Sequence, residues 1–301
     1  MDARAVTEAL GGRWHGSYGM APCPAHEDRS PSLSLTDGAG GRLLAYCHAG
    51  CEWRDVAAAL RAHGLLGDAK PSAPPPARDD QSARAGDRAG ARRARQAEAC
   101  WAETLPIHGT PAERYLRDRA IDVPLPPVLR FHPACWHAPT ATRRPALVAR
   151  VDGGEGFAVQ RIYLDPDGGR LADGGKMMLG RVRGGGVRLA RGAEARMPLI
   201  IAEGIETTLS LACGVLPGHP RPERLVAALS AAGLAGLALP RRSGRLVIAP
   251  DADDGGTGLA AARKLRDRAR TEGWEVEMRP APDGMDWNDV LVERAGMAAE
   301  H

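Results

Sequence analysis

Residues 246–254 read LVIAPDADD, a run of apolar, mostly β-forming residues that leads straight into a cluster of carboxylates. Such a run predicts a buried parallel strand whose acids lie at its carboxyl end, the edge where open α/β sheets bind ligands. Two carboxylates as close as Asp251 and Asp253 repel each other unless a proton or a divalent cation lies between them. The alternative is an acidic turn that caps the next helix, because aspartate is a favoured N-cap. This segment by itself leaves both interpretations open.

The same pattern of a strand followed by acids occurs at two other places. Residues 198–202 read PLIIA and are followed by Glu203, a glycine and a helical pattern, while the strand-like residues 274–278 precede the cluster DWND at 286–289. We expect three strand ends to supply one site for a hard cation with oxygen ligands. The predicted catalytic residues are Glu203, Asp251, Asp253 and Asp286.

These motifs resemble the toprim domain, a fold shared by DnaG-type primases, topoisomerases and some nucleases. The segments IAEGIETTLSLA, VIAPDADDGGTGLAAARKL and DGMDWNDVL are similar to the primase-type toprim domains of phages and mobile elements. The resemblance implies that the first three predicted acids hold Mg²⁺ or Mn²⁺ and that Asp286 supports the site. The family often has an acid one helical turn after the glutamate. This chain has Thr207 there, with Glu206 beside it.

The N-terminal region contains CPAH at 23–26 and CHAGC at 47–51. Three thiolates and one imidazole in two short pairs fit tetrahedral zinc, although two accidental clusters are the alternative. Residues 32–36 and 42–46 between the pairs predict the two arms of a hairpin. The predicted zinc ligands are Cys23, His26, Cys47 and Cys51.

This region, residues 14–66, resembles the CHC2-type zinc-binding domain of DnaG-type primases through CPAHEDRSPSLSL and CHAGCEWRDVAAAL. The resemblance implies a structural zinc and a role in binding single-stranded template. Leu33 and Leu35 stand where phenylalanine is common in the family. Base stacking needs aromatic faces, so these leucines weaken the case for stacking on this sheet.

Residues 68–96 are rich in Pro, Ala, Gly, Asp and Arg and contain almost no large apolar side chain. Such a segment cannot bury enough surface to offset its ordering, which predicts a flexible linker. A phosphate-contacting arm is the alternative. Only three of the 40 basic residues are lysine. This preference for arginine fits phosphate binding, and it equally fits a codon bias.

The middle region, 97–197, resembles the small subdomain that precedes toprim in DnaG-type primases. Basic residues and glycines are interleaved between 170 and 196, which permits close backbone approach to phosphates. A solvated basic surface is the alternative. The predicted contacts to nucleic acid or nucleotide phosphate are Arg161, Lys176, Arg181 and Arg183.

A second zinc site can be imagined at His132, Cys135 and His137, which are close in sequence. One cysteine without a matching pair favours a structural or incidental role instead. The absence of a signal peptide or long apolar span predicts a cytoplasmic protein with no membrane association. Six cysteines in such a chain are better interpreted as metal ligands or free thiols than as disulfides.

We therefore expect a multidomain α/β and α+β protein. It would comprise a zinc-ribbon-like β module at 1–67, the linker at 68–96, a basic α+β subdomain at 97–197, and a toprim domain with a central parallel sheet at 198–301. The predicted function is metal-dependent synthesis of short RNA primers on single-stranded DNA from nucleoside triphosphates. A replicative helicase supplied in trans is a further expected partner, and a phage or plasmid origin is expected.

Other functions of toprim proteins fit less well. No tyrosine has the context of a topoisomerase nucleophile, and no G-x-x-x-x-G-K-[ST] motif marks the ATPase that accompanies one class of toprim nuclease. A nucleic-acid-binding replication accessory protein without synthesis activity remains the alternative from another class, together with a toprim nuclease. The intact acidic trio favours the synthesising enzyme.

Overall fold

The computed structural model describes most of the chain. The described residues are 2–16, 18–26, 28, 31–38, 42–47, 51–66, 80–165, 168–171, 175–192, 197–220, 222–252 and 256–299. The chain divides into two compact units, Met1–Asp79 and Asp80–His301. Among the helices of the described ranges, none combines the length and the apolar character needed to span a membrane.

The first unit is a small four-stranded antiparallel sheet with two helices. Its elements are α1 (Ala3–Ala9), β1 (Arg13–Trp14), β2 (Gly19–Ala21), β3 (Leu33–Gly38), β4 (Arg42–Cys47) and α2 (Trp53–Ala62). The strands follow the order β1-β2-β3-β4. The predicted hairpin is confirmed, because β3 pairs antiparallel with β4 from Leu33 opposite Cys47 to Gly38 opposite Arg42. Leu33 and Leu35 point into the core with Val6 and Leu60.

The second unit begins with an antiparallel sheet against which a long helix packs. Its elements are α3 (Asp80–Ala102), β5 (Leu105–Pro106), α4 (Pro111–Arg117), β6 (Leu129–His137), β7 (Thr142–Val151), β8 (Ala158–Tyr163) and β9 (Lys176–Gly180). The strand order is β5-β6-β7-β8-β9, the simple order of an up-and-down sheet. Ala97 of α3 is fully buried among side chains of β6, β7 and β8.

The predicted flexible linker needs a correction. Its first part, 68–79, lies outside the described residues, but residues 80–96 form the greater part of α3. Alanine, arginine and glutamine have high helix propensity, so a segment poor in large apolar residues still forms a helix once one face has a partner. Ala97 and Trp101, which follow the segment on the same helix, provide the face that packs on the sheet. Composition alone did not show this.

A second sheet of mainly parallel strands completes the unit. Its elements are β10 (Val187–Arg191), β11 (Leu199–Ala202), α5 (Ile205–Ser210), β12 (Arg224–Ala227), α6 (Ala231–Gly236), β13 (Arg245–Ile248), α7 (Thr257–Thr271), β14 (Glu275–Met278) and α8 (Trp287–Ala299). The strand order is β10-β12-β11-β13-β14. β10 is antiparallel to β12, and the other neighbours are parallel.

Helices cover both faces of this sheet, which explains why its strands are continuous apolar runs. Side chains of α6 and α7 pack with one set of strand residues, including Ile201 and Ile248. Side chains of α5 and α8 pack with the other set, including Ile200 and Val247. The predicted fold class, α/β and α+β modules with a central parallel sheet, is confirmed.

Candidate metal centres and nucleic-acid interface

Two of the predicted acids follow neighbouring parallel strands. Ile201 of β11 pairs with Ile248 of β13, and the Ala249 N–H donates to the Ile201 carbonyl at 2.8 Å. Glu203 and Asp251 come directly after this paired stretch, and both side chains are half-buried. The parallel register therefore delivers both carboxylates to the same carboxyl edge of the sheet.

The third acidic cluster reaches this edge through a loop. The Ala281 N–H donates to the Pro250 carbonyl at 3.0 Å, and the Ala252 N–H donates to the Met285 carbonyl at 3.0 Å. This backbone pairing carries the next residue, Asp286, alongside the Asp251 segment. Asp286 also caps α8, because its Oδ1 accepts the N–H groups of Asn288 and Asp289 at 2.6 and 2.8 Å. One carboxylate oxygen of Asp286 therefore has a structural role.

Asp253 lies outside the described residues. The capping interpretation of this acidic run is nevertheless weakened, because the N-cap of α7 is Gly256, with a φ of +93°. A glycine adopts that left-handed conformation without a steric penalty. Asp251 is five residues before the cap and lies at the strand end.

Helix α5 separates the roles of two neighbouring side chains. The Thr207 hydroxyl lies 3.4 Å from Asp251 Oδ2 and donates to it. Glu206, the residue before it, turns the other way and is buried. The position where the toprim family often has an acid thus holds a hydroxyl that positions Asp251, while the neighbouring acid belongs to the core. Sequence alone left this choice open.

Glu206 is the centre of a buried polar network behind the acidic edge. Its Oε1 accepts the hydroxyl of Tyr115 at 2.6 Å, and its Oε2 lies 3.1 Å from Nζ of Lys176. Burial acts to raise the pKa of Glu206, but the Lys176 charge and the Tyr115 hydrogen bond outweigh it and lower the pKa to about 2. The same burial and the Glu206 charge raise the pKa of Tyr115. The network ties α5 to α4 through the Tyr115 hydroxyl and to β9 through the charged Lys176 side chain.

A strained backbone position also borders the acidic edge. Leu229 follows β12 with a φ of +77°, and its N–H donates to the Glu203 carbonyl at 2.7 Å. A left-handed conformation costs a residue with a Cβ on the order of 1–2 kcal/mol. Strain of this kind clusters at functional sites, where the surrounding structure holds it in place. The hydrogen bond anchors the turn that carries Glu203.

The acidic edge is suited to a hard divalent cation. Carboxylate oxygens are the donors that Mg²⁺ and Mn²⁺ prefer, and Glu203 and Asp251 present them from adjacent strand ends. The hydroxyl of Thr207 holds one of these carboxylates in place. The residues present therefore fit the cation that the sequence predicts.

The first unit brings its four predicted zinc ligands together. One ligand atom from each of Cys23, His26, Cys47 and Cys51 lies within 4.8 Å of the others. Burial, together with the two neighbouring thiols, raises the pKa of Cys23 to about 12. A bound cation offsets this by favouring the thiolate, so the cluster has the composition and the spacing of a tetrahedral metal site.

Asp28 supports this cluster and was missed by the sequence reasoning. Its Oδ2 accepts the Cys23 N–H at 2.7 Å and the Ser32 hydroxyl at 2.6 Å, and it lies 3.8 Å from His26 Nε2. The other ring nitrogen of His26, Nδ1, is 3.2 Å from Cys51 Sγ. A carboxylate behind a ligating imidazole orients the ring and raises its basicity. The Asp28 position five residues after Cys23 was the available sequence signal.

The four basic residues predicted to contact phosphates have different positions. Arg161 is buried, and its guanidinium donates to the carbonyls of Trp136 and Met178 at 3.4 and 3.2 Å. A direct phosphate contact by Arg161 stays a prediction, and in this structure two backbone carbonyls already accept hydrogen bonds from its guanidinium. Both faces of β8 are buried, so Arg161 does not lie on an open strand face. Lys176 pairs with Glu206, as described above.

Arg181 and Arg183 lie nearer the surface. The Arg181 guanidinium pairs with the carboxylate of Asp87 on α3 and donates to the Asp87 carbonyl at 2.8 Å. Gly90 permits this approach, because a Cβ there would lie 2.6 Å from Arg181 Nε. Arg183 is exposed in the turn after β9. Of the four, Arg183 is the residue best placed for a phosphate contact.

A cavity of about 210 Å³ lies away from the acidic edge. Its lining includes Leu199, Arg224 and Arg188. Leu199 and Arg224 are the first residues of β11 and β12, so this cavity lies at the amino ends of those strands. Ligands of open α/β sheets bind at the opposite edge, and the cavity is therefore not part of the acidic site.

Two family models match parts of the chain. Residues 91–189 match a family described as a domain of unknown function (DUF7146), and residues 198–296 match the toprim domain. The segment 198–296 is a toprim domain. The toprim fold indicated by the sequence motifs is thus confirmed, and the edge that carries Glu203 and Asp251 is the acidic edge of this toprim domain.

No curated protein matches the chain. Among solved structures, the chain is similar to the zinc-binding and RNA polymerase domains of the Aquifex aeolicus primase, at 17% identity and a TM-score of 0.39 over 100% of this chain and 82% of that one. It is also similar to the RNA polymerase domain of Mycobacterium tuberculosis primase DnaG, at 18% identity and a TM-score of 0.40 over 70% of this chain and 81% of that one.

Proposed function

We propose that this chain is a DnaG-like primase that synthesises short RNA primers on single-stranded DNA from nucleoside triphosphates. The observation that carries the proposal is the pair Glu203 and Asp251 at adjacent strand ends of a toprim domain. The zinc-ligand cluster of the first unit supports it, because the sequence around that cluster resembles a primase zinc-binding domain.

Each residue at the acidic edge has a distinct task in the proposed reaction. Glu203, Asp251 and Asp253 would hold Mg²⁺ or Mn²⁺, which neutralises triphosphate charge and lowers the pKa of an attacking hydroxyl. Thr207 donates to Asp251 and so holds that carboxylate in one rotamer. The Leu229 N–H holds the turn of Glu203. Preorganised acids do not have to reorient when the nucleotides bind, which lowers the barrier to transfer.

The first unit offers a surface for single-stranded template. Leu33 and Leu35, which occupy positions of common family phenylalanines, face the core. The opposite face of β4 exposes Tyr46, whose exposed fraction is 59%, with the exposed Arg42 on the same strand face. The two positions are four residues, or about 13 Å, apart along the strand, so the ring could stack a base while the guanidinium contacts a backbone phosphate farther along the strand. Tyr46 is thus the proposed stacking residue of this sheet.

Primer synthesis on single-stranded DNA with labelled ribonucleotides, in Mg²⁺ or Mn²⁺, tests the proposal. Wild type should give short labelled oligomers, and Asp251→Ala should lower their yield at least a hundredfold, because it removes a carboxylate that touches the cation. Thr207→Val should lower the yield less, about tenfold, since the acids remain but one is held less firmly.

Asp267→Asn is the matched control. Asp267 is an exposed acid on α7, paired with Arg266, and its loss should leave the yield unchanged. No product from wild type on several templates and with both cations, despite retained DNA binding, would overturn the synthesis proposal in favour of an accessory protein. Metal-dependent cleavage of DNA that Asp251→Ala abolishes would indicate a toprim nuclease instead.

A further inference from the structure

A second cluster of metal-ligand side chains lies in the second unit, far from the toprim acids in sequence. Cys100, His132 and Cys135 each offer one ligand atom, and these three atoms lie within 4.8 Å of one another. His132 and Cys135 are 4% and 2% exposed, and Cys100 is partly buried. The sequence favoured a structural or incidental role for His132 and Cys135, because it showed no second cysteine to complete a metal-binding pair. Cys100, 35 residues before Cys135, is that partner.

A β-bulge in β6 makes this cluster possible. His132 pairs with Ala146 and Cys135 pairs with Arg144, so three steps along β6 correspond to two along β7. In a regular strand, residues three apart point to opposite faces. The extra residue rotates the strand by one position, which allows His132 and Cys135 to meet the same partner. Pro133 in the bulge lacks an N–H and so loses no ladder hydrogen bond.

Helix α3 supplies the remaining part of the cluster. Cys100 lies in its last turn, and its Sγ is 3.8 Å from Cys135 Sγ. Glu103 follows one turn later, and its Oε2 is 3.3 Å from His132 Nε2. Residues three apart on a helix share a face, so Cys100 and Glu103 approach β6 from the same side. Glu103 therefore lies at the edge of the cluster, next to the His132 ring, and its side chain is 58% exposed.

The sulfur separation fits two thiolates on one zinc ion. Two Zn–S bonds of about 2.3 Å at the tetrahedral angle place the sulfurs about 3.8 Å apart. The observed Sγ–Sγ distance is 3.8 Å, whereas a disulfide requires about 2.05 Å. Two sulfurs and an imidazole nitrogen are also soft and borderline donors, which select zinc over magnesium.

We propose that Cys100, His132 and Cys135, whose ligand atoms lie within 4.8 Å of one another, bind a second, structural zinc ion. The ion clamps the last turn of α3 to the bulge of β6, and so attaches the helix to the antiparallel sheet. His137 does not take part. Its Nδ1 pairs with the Thr140 hydroxyl, and its ring packs edge-on against Tyr163.

The zinc content of the full-length chain, measured by elemental analysis after exhaustive dialysis, tests this proposal. Wild type should contain two zinc ions per chain. Cys135→Ala and Cys47→Ala should each contain one, and the double variant none. Cys213→Ala is the matched control and should keep two, because Cys213 lies outside both clusters and donates to the Leu209 carbonyl. This measurement does not depend on primer synthesis.

Replacing the bound zinc by cobalt allows the two sites to be compared by absorption spectroscopy. This measurement does not require the Cys135→Ala variant to fold. The cluster of the first unit has three thiolates and the second has two, so thiolate-to-cobalt absorption should divide about 3:2 between them. Cys47→Ala should keep the smaller share. One zinc ion in wild type and none in Cys47→Ala would overturn the proposal. Titration of four thiols instead of six in the denatured, unreduced chain would also overturn it and indicate a Cys100–Cys135 disulfide.

Discussion

The two clusters of metal-ligand side chains in this chain are assembled in opposite ways. The first takes its ligands from two short sequence pairs, Cys23 with His26 and Cys47 with Cys51, at the ends of β2 and β4. The second joins Cys100 of a helix to His132 and Cys135 of a bulged strand. The first is recognisable from spacing, and the second appears only when α3 packs on β6.

The clusters also differ in what surrounds them. The core of the first unit is small and includes the cysteines Cys23 and Cys47 themselves. A domain of this size buries little apolar surface and is only marginally stable, so a bound metal can supply a large part of its stability. The second unit has two large cores and a buried ion-pair network of its own. Loss of metal should therefore unfold the first unit and only loosen the second.

The largest effect is expected for Cys47→Ser. Structural zinc contributes about 10–16 kcal/mol of apparent binding free energy to small zinc modules, which exceeds the stability of such a unit. Amide hydrogens of β3 and β4 should therefore lose their protection in hydrogen-exchange mass spectrometry, whereas those of β11 and β13 should keep theirs. Protection of β3 and β4 in a zinc-free variant would show that the small core suffices.

The next effect is expected for Cys135→Ser, which breaks the clamp between α3 and β6. A crosslink across the 35 residues from Cys100 to Cys135 stabilises a chain by about 4 kcal/mol in the loop-entropy view. The thermal midpoint of the second unit should fall by roughly 10 °C. Amide hydrogen exchange should become faster in the last turns of α3 and should change little in β13. Quickening across the whole unit would mean that the cluster is part of its central core.

A third effect, smaller than that of Cys135→Ser, is expected for Glu206→Gln. This substitution removes the buried ion pair of the same unit, so its loss of stability can be compared with the loss of the metal cluster. The folded pKa of Glu206, about 2, is below the usual 4.5, so ionised Glu206 stabilises the folded chain above pH 4.5 and loses this effect as the pH falls towards 2. At pH 7 the variant should be less stable by about 2–3 kcal/mol.

The difference between wild type and Glu206→Gln should shrink to roughly half or less by pH 3. Thermal midpoints of wild type and variant between pH 3 and pH 7 measure this difference. The control is Asp267→Asn, which removes a carboxylate from the exposed Arg266–Asp267 pair. A difference that does not depend on pH would show that the Tyr115 hydrogen bond matters more than the Lys176 charge.

The smallest effect is expected for Asp87→Asn, which weakens the pairing of α3 with Arg181. Asp87 is 76% exposed, and exposed pairs contribute 0 to about 1 kcal/mol. The thermal midpoint of the second unit should therefore fall by about 4 °C at most. A fall as large as that of Cys135→Ser would show that this surface pair, and not the buried cluster, attaches α3.

The toprim domain was predictable because its signals are local. Each apolar run formed a strand, each was followed by its acid, and parallel pairing then placed Glu203 beside Asp251. The roles of Glu206 and Thr207 were not predictable. They are adjacent on α5, and only the packing of α4 and β9 decides which one faces the core. The burial of Arg161 was not predictable for a similar reason, because the sequence of a strand does not show how many of its faces are covered.

The sequence by itself determined which four side chains of the first unit form its candidate metal site, and it determined the order of strands and acids in the toprim domain. Both depend on spacings of a few residues, which backbone geometry converts directly into positions. Only the tertiary structure decided that the linker sequence forms α3, that Glu206 joins Tyr115 and Lys176, and that Cys100 meets Cys135. Those contacts join residues whose separation along the chain carries no periodic signal, and they arise when buried faces select their partners.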